Sequence, residues 1–165
     1  MRLPFTAKTL VYLFFTMADY PARFPVHIYW EDTDAGGIVY HSNYLKYMER
    51  ARSDMMRVLN LSQSEELARP DGRIFVAADV SIRYRRAAKL DDDLTVVTRI
   101  KLLRRASIIF EQNVYRGEEL ITEGTVRVAC VNRATMSPCE MPDVMHKRML
   151  AFLEENTEHT DATKA

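Results

Sequence analysis

The chain has 165 residues, the length of a single domain, and 47% of them are hydrophobic, which is typical of globular proteins. Its 23 lysines and arginines balance 23 aspartates and glutamates, so the chain lacks the excess of basic residues that non-specific binding to nucleic acid requires. The two cysteines, Cys130 and Cys139, have neither metal-binding nor redox spacing. They are interpreted as free thiols of a reducing compartment, and neither a metal nor another cofactor is predicted.

The first sixteen residues differ in character from the rest of the chain. An apolar run at residues 10–15 follows two basic residues, as in a secretory signal, but it is shorter than a signal core and too short to cross a bilayer. Met17 then begins a more polar segment. The predicted division is a disordered or non-native extension over residues 1–16, a single domain over residues 17–155 and a polar, mobile tail over residues 156–165.

A strand is predicted near residues 26–30, and the longest helical pattern of the chain follows at about residues 43–59. Apolar residues recur there at the spacing of one helix face, and most charged residues fall elsewhere. The members of the apolar face are Tyr44, Met48, Ala51, Met55, Val58 and Leu59. Ser42 or Asn43 is expected to cap the helix by accepting a hydrogen bond from an otherwise unpaired N–H group.

An acidic loop, residues 31–42, leads directly into this helix with the sequence EDTDAGGIVYHS. The unpaired N–H groups at the helix N-terminus point back towards the loop and can stabilise a developing negative charge on oxygen. Gly36 and Gly37 remove two side chains just before the helix, so a substrate can approach the backbone closely. A carboxylate, a bare backbone and a helix N-terminus within so few residues favour a catalytic site.

The chain after the helix is rich in β-forming residues. A single helical turn, capped by Ser62 and ended by Pro70, Asp71 and Gly72, is predicted between residues 61 and 72. Four strands are predicted next, and the last two connections are short enough for antiparallel hairpins. The strands lie at residues 74–85, 94–103, 107–116 and 120–132. A last helix is predicted at about residues 142–154, with Met145, Met149 and Leu153 on one side.

This order of elements predicts an α+β fold in which a five-stranded antiparallel sheet packs its inner face on one long helix. Such a sheet leaves unpaired edges and an exposed face, and association of two chains is the usual way to cover them. A homodimer or homotetramer is therefore predicted.

Residues 30–44, WEDTDAGGIVYHSNY, together with the ERAR segment at residues 49–52, are similar to a known family. They resemble the acyl-CoA thioesterases of the 4-hydroxybenzoyl-CoA thioesterase type, and most closely the subfamily associated with the bacterial Tol-Pal system. The resemblance extends over about residues 24–153 and includes VSIRY at residues 80–84 and DDDL at residues 91–94. It implies the hotdog fold, a five-stranded antiparallel sheet wrapped around a long central helix, with active sites between the two subunits of a dimer.

The resemblance also implies roles for individual residues. Asp34 matches the catalytic carboxylate of the family. His41 matches the position at the helix start whose backbone N–H polarises the thioester carbonyl, and whose imidazole is implicated in this subfamily. Trp30 stands where a tyrosine is common, so a role for a phenol hydroxyl is not carried over. The loop ends in Gly36 and Gly37 rather than in the Pro-Ala-Gly of the aryl-CoA enzyme, which argues against an aromatic acyl group.

Arg104 and Arg105 match an arginine pair that contacts coenzyme A phosphates in the resembled enzymes. A pair of arginines at a strand end is also simply a solvated cluster in many proteins, as is the cluster at residues 83–86, so both interpretations stay open. The residues predicted to contact substrate are Trp30, Gly36, Gly37, Tyr44, Arg104 and Arg105.

The predicted activity is hydrolysis of an acyl-CoA thioester, with Asp34 acting as the nucleophile or as the general base towards water. Each candidate also has a structural alternative. Asp34 could cap a turn, Asp32 could be a turn residue, His41 could be a capping or packed histidine, and Glu49 could form an ion pair with Arg52. Glu49 is the second candidate for the catalytic carboxylate.

Two other functions remain open. One is a non-catalytic subunit that binds acyl-CoA or acyl carrier protein within lipid or envelope machinery. The other is a hotdog dehydratase, which needs a histidine and an acidic residue, with His41 as the histidine and Glu49 as the candidate acid. The expected location is the cytoplasm, in association with the inner face of the inner membrane. Acyl carrier protein is a second expected partner, beside the acyl-CoA substrate.

Overall fold

The computed structural model describes residues 22–161, with side chains described up to residue 154. The predicted extension at residues 1–16 and the last four residues of the predicted tail lie outside the described residues. Within the described part, no helix is long and apolar enough to span a membrane.

The order of elements is the predicted one, and it confirms the α+β architecture. The elements are β1 (Ala22–His27), a 3₁₀ helix (Trp30–Asp32), α1 (Asn43–Val58), α2 (Gln63–Ala68), β2 (Arg73–Tyr84), β3 (Asp93–Leu103), β4 (Ser107–Arg116), β5 (Glu119–Asn132) and α3 (Asp143–Asp161).

Two predictions near the acidic loop were wrong. β1 ends at His27, before the predicted strand 26–30 is complete, because the chain turns at Tyr29, whose N–H donates to the Asp32 carboxylate at 2.9 Å. Ser42 makes no side-chain cap for α1. The amide of Asn43 does not cap the helix either, since it donates to the Asp32 carbonyl at 2.9 Å.

For the two other helices, the sequence predicted the start of α2 correctly but not the end of α3. The predicted cap of α2 is confirmed, since Ser62 Oγ accepts the N–H of Glu65 at 3.3 Å. α3 continues to Asp161, past its predicted end at residue 154. No glycine or proline follows Pro142 in the sequence, so nothing stops the helix at the predicted position.

The five strands form one antiparallel sheet in the order β1-β3-β4-β5-β2. β1 pairs with the first half of β3, so the end of β1 and the start of β3 lie at the same end of the sheet. β2 forms the opposite edge, and its residues 77–81 are all exposed. The sheet therefore has one long free edge.

α1 packs on the inner face of this sheet through an apolar stripe that includes Tyr47, Met48 and Met55, each at most 2% exposed. Gly124 on β5 lies beneath it, and a Cβ there would come within 2.7 Å of the Met48 Cε atom. The absence of a side chain at Gly124 therefore lets the helix lie close to the sheet.

A polar network crosses this otherwise apolar interface. The amide nitrogen of the fully buried Gln112 donates to the Met48 carbonyl and to Thr98 Oγ1, both at 2.9 Å. Its Oε1 accepts a 2.6 Å hydrogen bond from Arg52 Nη1. Arg52 thus turns towards the core, which anchors α1 to β3 and β4 through neutral partners.

The predicted ion pair between Glu49 and Arg52 is absent. Arg52 is occupied by Gln112, and Glu49 accepts a hydrogen bond from Ser53 Oγ at 2.7 Å. The spacing of the two charged residues along the helix suits an ion pair, but the buried amide of Gln112 is a partner that the pattern of a single helix cannot reveal.

Candidate active site

The acidic loop is closed at its base by backbone hydrogen bonds. Thr33 and Val39 form an isolated antiparallel bridge, and the N–H of Asp34 donates to the Ile38 carbonyl at 3.0 Å. The N–H of Gly37 donates to the Asp34 carbonyl at 2.9 Å and closes the turn at the tip. The loop is therefore a small hairpin with Asp34 at its turn, held in place by the buried side chain of Val39.

Asp32 supports this loop from below. One oxygen of its carboxylate accepts the N–H of Tyr29 at 2.9 Å, and the other accepts the hydroxyl of Tyr47 at 2.7 Å. Its carbonyl accepts hydrogen bonds from the Tyr40 N–H and the Asn43 amide. Burial, followed by the contact with Asp32, raises the pKa of Tyr47 far above its usual range, so its hydroxyl stays protonated and keeps donating. The interpretation of Asp32 as a turn residue is confirmed.

Asp34 differs from Asp32 in that its side chain is exposed. Its Oδ1 atom accepts the N–H of Gly36 at 2.8 Å, which is the turn-capping hydrogen bond that the sequence had left open. No donor within the described residues contacts Oδ2. The cap therefore orients the carboxylate and leaves one of its oxygens facing solvent.

The two glycines of the loop serve different purposes. A Cβ at Gly36 would lie 3.0 Å from Asp34 Oδ1, so a side chain there would press on the carboxylate. Gly37 has φ +72, a left-handed conformation that L side chains rarely adopt, and nothing lies within 4 Å of its Cβ position. Gly36 therefore keeps space beside the carboxylate, while Gly37 allows the turn itself.

His41 lies two residues before the first residue of α1. Its imidazole is exposed and contacts the ring of Tyr40, with 4.4 Å between ring centroids. The carbonyl of His41 accepts a 3.0 Å hydrogen bond from the hydroxyl of Tyr84. The backbone N–H groups of His41 and Ser42 find no acceptor among the described residues. These two N–H groups, at the positive end of the helix dipole, are suited to bind an oxygen that becomes negative during a reaction.

Tyr44, predicted to contact substrate, is only 3% exposed and lies beneath the loop. Its hydroxyl accepts the N–H of Ala88 at 3.2 Å, and the Ala88 carbonyl accepts the N–H of Val39. Burial raises the pKa of Tyr44, so the hydroxyl stays neutral. Tyr44 thus links α1, the loop and the connection between β2 and β3.

Trp30, the other aromatic residue predicted to contact substrate, is 80% exposed at the start of the loop.

Arg104 and Arg105 lie in the turn between β3 and β4, whereas the acidic loop lies at the start of β3. The 11 residues of β3 separate the two by roughly 30 Å. Arg105 pairs with Asp143 (2.5 Å) and Glu140 (3.1 Å), and the hydrogen bond to Asp143, followed by that to Glu140, raises its pKa. The exposed Arg104 side chain has no partner within the part of the chain that the structure describes. Within one chain, the predicted catalytic and coenzyme A-binding residues are therefore not brought together.

A cavity of about 190 Å³ lies between α1 and the sheet, on the side of β2. Its rim is polar, and its floor is formed by apolar side chains of β2, β4 and β5. The lining residues are Glu49, Arg52, Ser53, Met56, Gln63, Phe75, Ala77, Ile108, Phe110 and Val128. Burial lowers the pKa of Arg52, and the charge of Glu49 acts in the opposite direction. Glu49, the second candidate carboxylate, therefore belongs to this cavity, about 10 Å along α1 from the helix N-terminus.

Three supporting residues of the site were not predicted from the sequence, namely Tyr47, Tyr84 and Ala88. Tyr47 follows Tyr44 by three residues, a helical spacing that places the two on neighbouring parts of one face. Alternation along a strand puts Tyr84 on the same face of β2 as Ile82. In the structure, the Tyr84 ring lies 5.6 Å from that of Tyr44 and Ile82 packs against the core, so this face is the inner one. Nothing in the sequence marks Ala88, whose contribution is its backbone.

A five-stranded antiparallel sheet packed on one long helix, with a carboxylate-bearing loop at the N-terminus of that helix, is the hotdog architecture. The chain belongs to the thioesterase-like superfamily, whose sequence profile its residues 28–149 match.

Several relatives within this superfamily are similar over most of their length. The acyl-CoA thioesterase YbgC of Haemophilus influenzae is 44% identical over 126 residues, which cover 76% of this chain and 92% of the relative. The acyl-CoA thioesterase YbgC of Helicobacter pylori strain 26695 is 33% identical, with 76% and 97% covered.

Solved structures show the same architecture. A probable thioesterase from Bartonella henselae aligns with a TM-score of 0.69 at 32% identity, over 73% of this chain and 98% of that one. A 1,4-dihydroxy-2-naphthoyl-CoA thioesterase from Synechocystis, at 18% identity and a TM-score of 0.72 over 78% and 94%, shares the fold. The predicted hotdog fold and the predicted class of enzyme, a thioesterase, are therefore confirmed.

Proposed function

We propose that this protein hydrolyses acyl-CoA thioesters, with Asp34 as the catalytic carboxylate. The observation that carries the proposal is the state of the Asp34 side chain. It is exposed, one of its oxygens is fixed by the Gly36 N–H at 2.8 Å, and the other has no donor among the described residues. The acyl-CoA thioesterase names of the relatives at 33% and 44% identity agree with this activity.

The proposed reaction begins with a thioester whose carbonyl oxygen points at the N–H groups of His41 and Ser42. Negative charge develops on that oxygen as the carbonyl carbon is attacked, and the two donors stabilise it. Asp34 either attacks the carbon itself, which breaks the C–S bond, releases coenzyme A thiolate and gives a mixed anhydride that water then cleaves, or removes a proton from the attacking water, which breaks the C–S bond directly. In both routes the departing thiolate takes up a proton. The products are the free acid and coenzyme A.

The test of the proposal is the replacement Asp34→Asn, which keeps the size of the side chain but makes it a poor nucleophile and a poor base. Thiol release from a panel of acyl-CoAs is expected to fall by several orders of magnitude, while the fold and acyl-CoA binding persist. Asp71→Asn, the same chemical change on an exposed aspartate outside the loop, is the matched control and should keep full activity.

An Asp34→Asn variant that keeps more than about a tenth of the wild-type kcat, a deficit of only ~1.4 kcal/mol in the barrier, would exclude Asp34 as the catalytic carboxylate. Glu49, which lines the cavity beside α1, would then be the next residue to replace. Label found in the Asp34 carboxylate after a single turnover in ¹⁸O-labelled water would identify Asp34 as the nucleophile, because it requires an anhydride that water cleaves at the Asp34 carbonyl.

The alternative functions are separated by the same substrates. A non-catalytic acyl-binding subunit would bind acyl-CoA without releasing thiol, and a dehydratase would hydrate an enoyl thioester. Thioesters of acyl carrier protein, assayed beside those of coenzyme A, decide which carrier is preferred. Association with the Tol-Pal system at the inner face of the membrane is part of the same proposal, and co-purification from the native cell tests it.

The proposed active unit is a homodimer or a dimer of dimers. Within a single chain, Arg104 and Arg105 lie at the far end of β3 from the acidic loop, up to roughly 30 Å away, so the pair is proposed to contact coenzyme A phosphates bound at the loop of a second chain. The free edge of β2, with residues 77–81 exposed, is the surface through which two sheets are proposed to join.

A further inference from the structure

Cys130 and Cys139 lie directly opposite each other at the end of β5. The segment that follows the strand turns back, and Val131 and Pro138 form an isolated antiparallel bridge. The N–H of Cys139 donates to the carbonyl of Cys130 at 3.0 Å, which continues this pairing by one residue. The two side chains therefore leave the backbone on the same face, and their sulfur atoms are 3.9 Å apart.

This register meets the geometric demands of a disulfide. Opposed residues of an antiparallel pair have Cα atoms roughly 4.5–5.5 Å apart, and disulfides span Cα separations of about 4.4–6.8 Å. To bond, the two sulfur atoms must close from 3.9 Å to about 2 Å, a change that we expect from rotation of the side chains with the backbone pairing kept.

We infer that Cys130 and Cys139 form an oxidisable dithiol, which a hydroperoxide converts into an intramolecular disulfide. This modification site is independent of the proposed thioesterase activity. Its two thiols differ in their surroundings, since Cys130 is fully buried and Cys139 is partly exposed. Burial, with the neighbouring Cys139 as a second cause, raises the pKa of Cys130 to about 12, so Cys130 stays a thiol at neutral pH. Cys139 is therefore the residue that meets the oxidant first.

The reaction proceeds in two balanced steps. The Cys139 thiolate attacks one oxygen of hydrogen peroxide, an S–O bond forms, the O–O bond breaks and hydroxide leaves, which gives a sulfenic acid. The Cys130 sulfur then attacks the Cys139 sulfur, the S–S bond forms, and the S–O bond breaks. The oxygen leaves as water after taking the Cys130 proton. In total, both thiols are oxidised and the peroxide is reduced to water.

The disulfide would restrain the segment that leads into α3. It closes a short loop, which carries Met136 in a left-handed conformation at φ 56. Glu140 and Asp143, the two carboxylates that bind Arg105, follow directly. Closing such a loop restricts the unfolded chain, so oxidation is expected to raise Tm by roughly 5–10 °C, and a thiol reductant should reverse the shift.

The experiment uses the full-length protein, reduced, freed of reductant and treated with a small excess of hydrogen peroxide. Trypsin cuts after Arg133 and therefore separates the two cysteines into the peptides 128–133 and 134–147. The expected result, under non-reducing conditions, is a disulfide-linked pair of these peptides whose mass is two hydrogen atoms less than the sum of the two peptide masses. Both thiols should lose their reactivity towards an alkylating reagent at the same rate as the linked pair appears.

Two variants test the order of events. Cys139→Ser should abolish both the linked peptides and the Tm shift, with Cys130 slow to react. Cys130→Ala should leave the Cys139 sulfenic acid without a resolving thiol, so a dimedone adduct should accumulate on peptide 134–147. If the change at the buried Cys130 prevents folding, Cys139→Ser still tests the inference, because Cys139 is partly exposed.

Three outcomes would overturn the inference. One is peroxide treatment that leaves both thiols free to alkylate while the methionines gain oxygen. Another is over-oxidation of Cys139 to the sulfinic acid in the wild-type protein without linked peptides. The third is linkage found only between two chains, at twice the mass of one.

Discussion

Two aspartates separated by one residue are used in opposite ways by this fold. The carboxylate of Asp32 accepts hydrogen bonds on both oxygens, from Tyr29 and Tyr47. The carboxylate of Asp34 accepts one, from Gly36, and keeps its other oxygen open to solvent, without a donor among the described residues. A carboxylate whose oxygens are all occupied is a poor reagent, so the hydrogen bonds themselves separate the structural aspartate from the candidate catalyst.

Replacing Tyr47 by Phe tests the structural half of this division. The change removes a donor from a partly buried carboxylate, and losing such a hydrogen bond costs roughly 1–3 kcal/mol. The free energy of unfolding from urea titration is expected to fall by that amount, and the loop should lose order. Tyr40→Phe is the control, because the Tyr40 ring is exposed and its hydroxyl donates to no described residue. Equal stability of the two variants would contradict the supporting role of Asp32.

Replacing His41 by Ala tests which part of the histidine is used. The N–H that is proposed to stabilise the oxyanion belongs to the backbone and survives the change. The loss in kcat is therefore expected to be smaller than the roughly 10²- to 10³-fold cost of removing an oxyanion donor outright. Steady-state thiol release measures it. A loss as large as that of Asp34→Asn would instead make the imidazole an essential participant.

At the scale of elements, α1 connects the two regions that matter for function. Its N-terminus supplies the free N–H groups beside the acidic loop, and its middle forms the rim of the cavity. Gln112 fixes the helix to the sheet by donating to the Met48 carbonyl and accepting from Arg52. This buried network sets where along the sheet the helix N-terminus, and with it the loop, comes to lie.

The turn between β3 and β4 offers the test of coenzyme A binding. If Arg104 and Arg105 contact the phosphates, replacing both by Ala should raise KM for acyl-CoA much more than it lowers kcat, because such contacts are equally strong in the ground and transition states. Single variants separate the two residues, since the Arg105 side chain already pairs with Glu140 and Asp143, while the Arg104 side chain has no partner among the residues described. Arg104→Ala should carry the larger share of the effect. An unchanged KM in the double variant would mean that the two arginines do not contact coenzyme A and are a solvated cluster at a strand end.

At the scale of the whole molecule, the free edge of β2 is the feature that bears on the proposed association. A long edge strand with unpaired N–H and C=O groups is a template for pairing with another chain. Val80, near the middle of this edge, is 42% exposed. Light scattering is therefore expected to show a dimer or a dimer of dimers at micromolar concentration.

Val80→Asp is expected to weaken this association by replacing an exposed apolar side chain of the edge with a charged one, and to lower thiol release along with it. Val144→Asp, on the exposed side of α3, is the matched control and should leave both properties unchanged. A stable wild-type monomer with full activity would contradict the proposed dimeric site.

The order of the elements and the layered α+β architecture could be predicted from the sequence, because helical and strand periodicities are local properties of the chain. It also singled out the acidic loop, since turn residues and the helix pattern that follows are adjacent in sequence. The alternatives at Asp34 stayed open, because the hydrogen bond to Gly36 and the free oxygen depend on the folded geometry of the loop.

The partners of residues far apart in the chain could not be predicted from the sequence and became visible in the folded structure. The hydrogen bonds of Arg52 with Gln112 and of Tyr84 with His41 join elements that no local pattern relates. The same holds for the distance between the acidic loop and Arg104, because the direction in which β3 runs fixes their separation. Such contacts depend on how strands and helices are arranged in space, and periodicity along a single element carries no information about that arrangement.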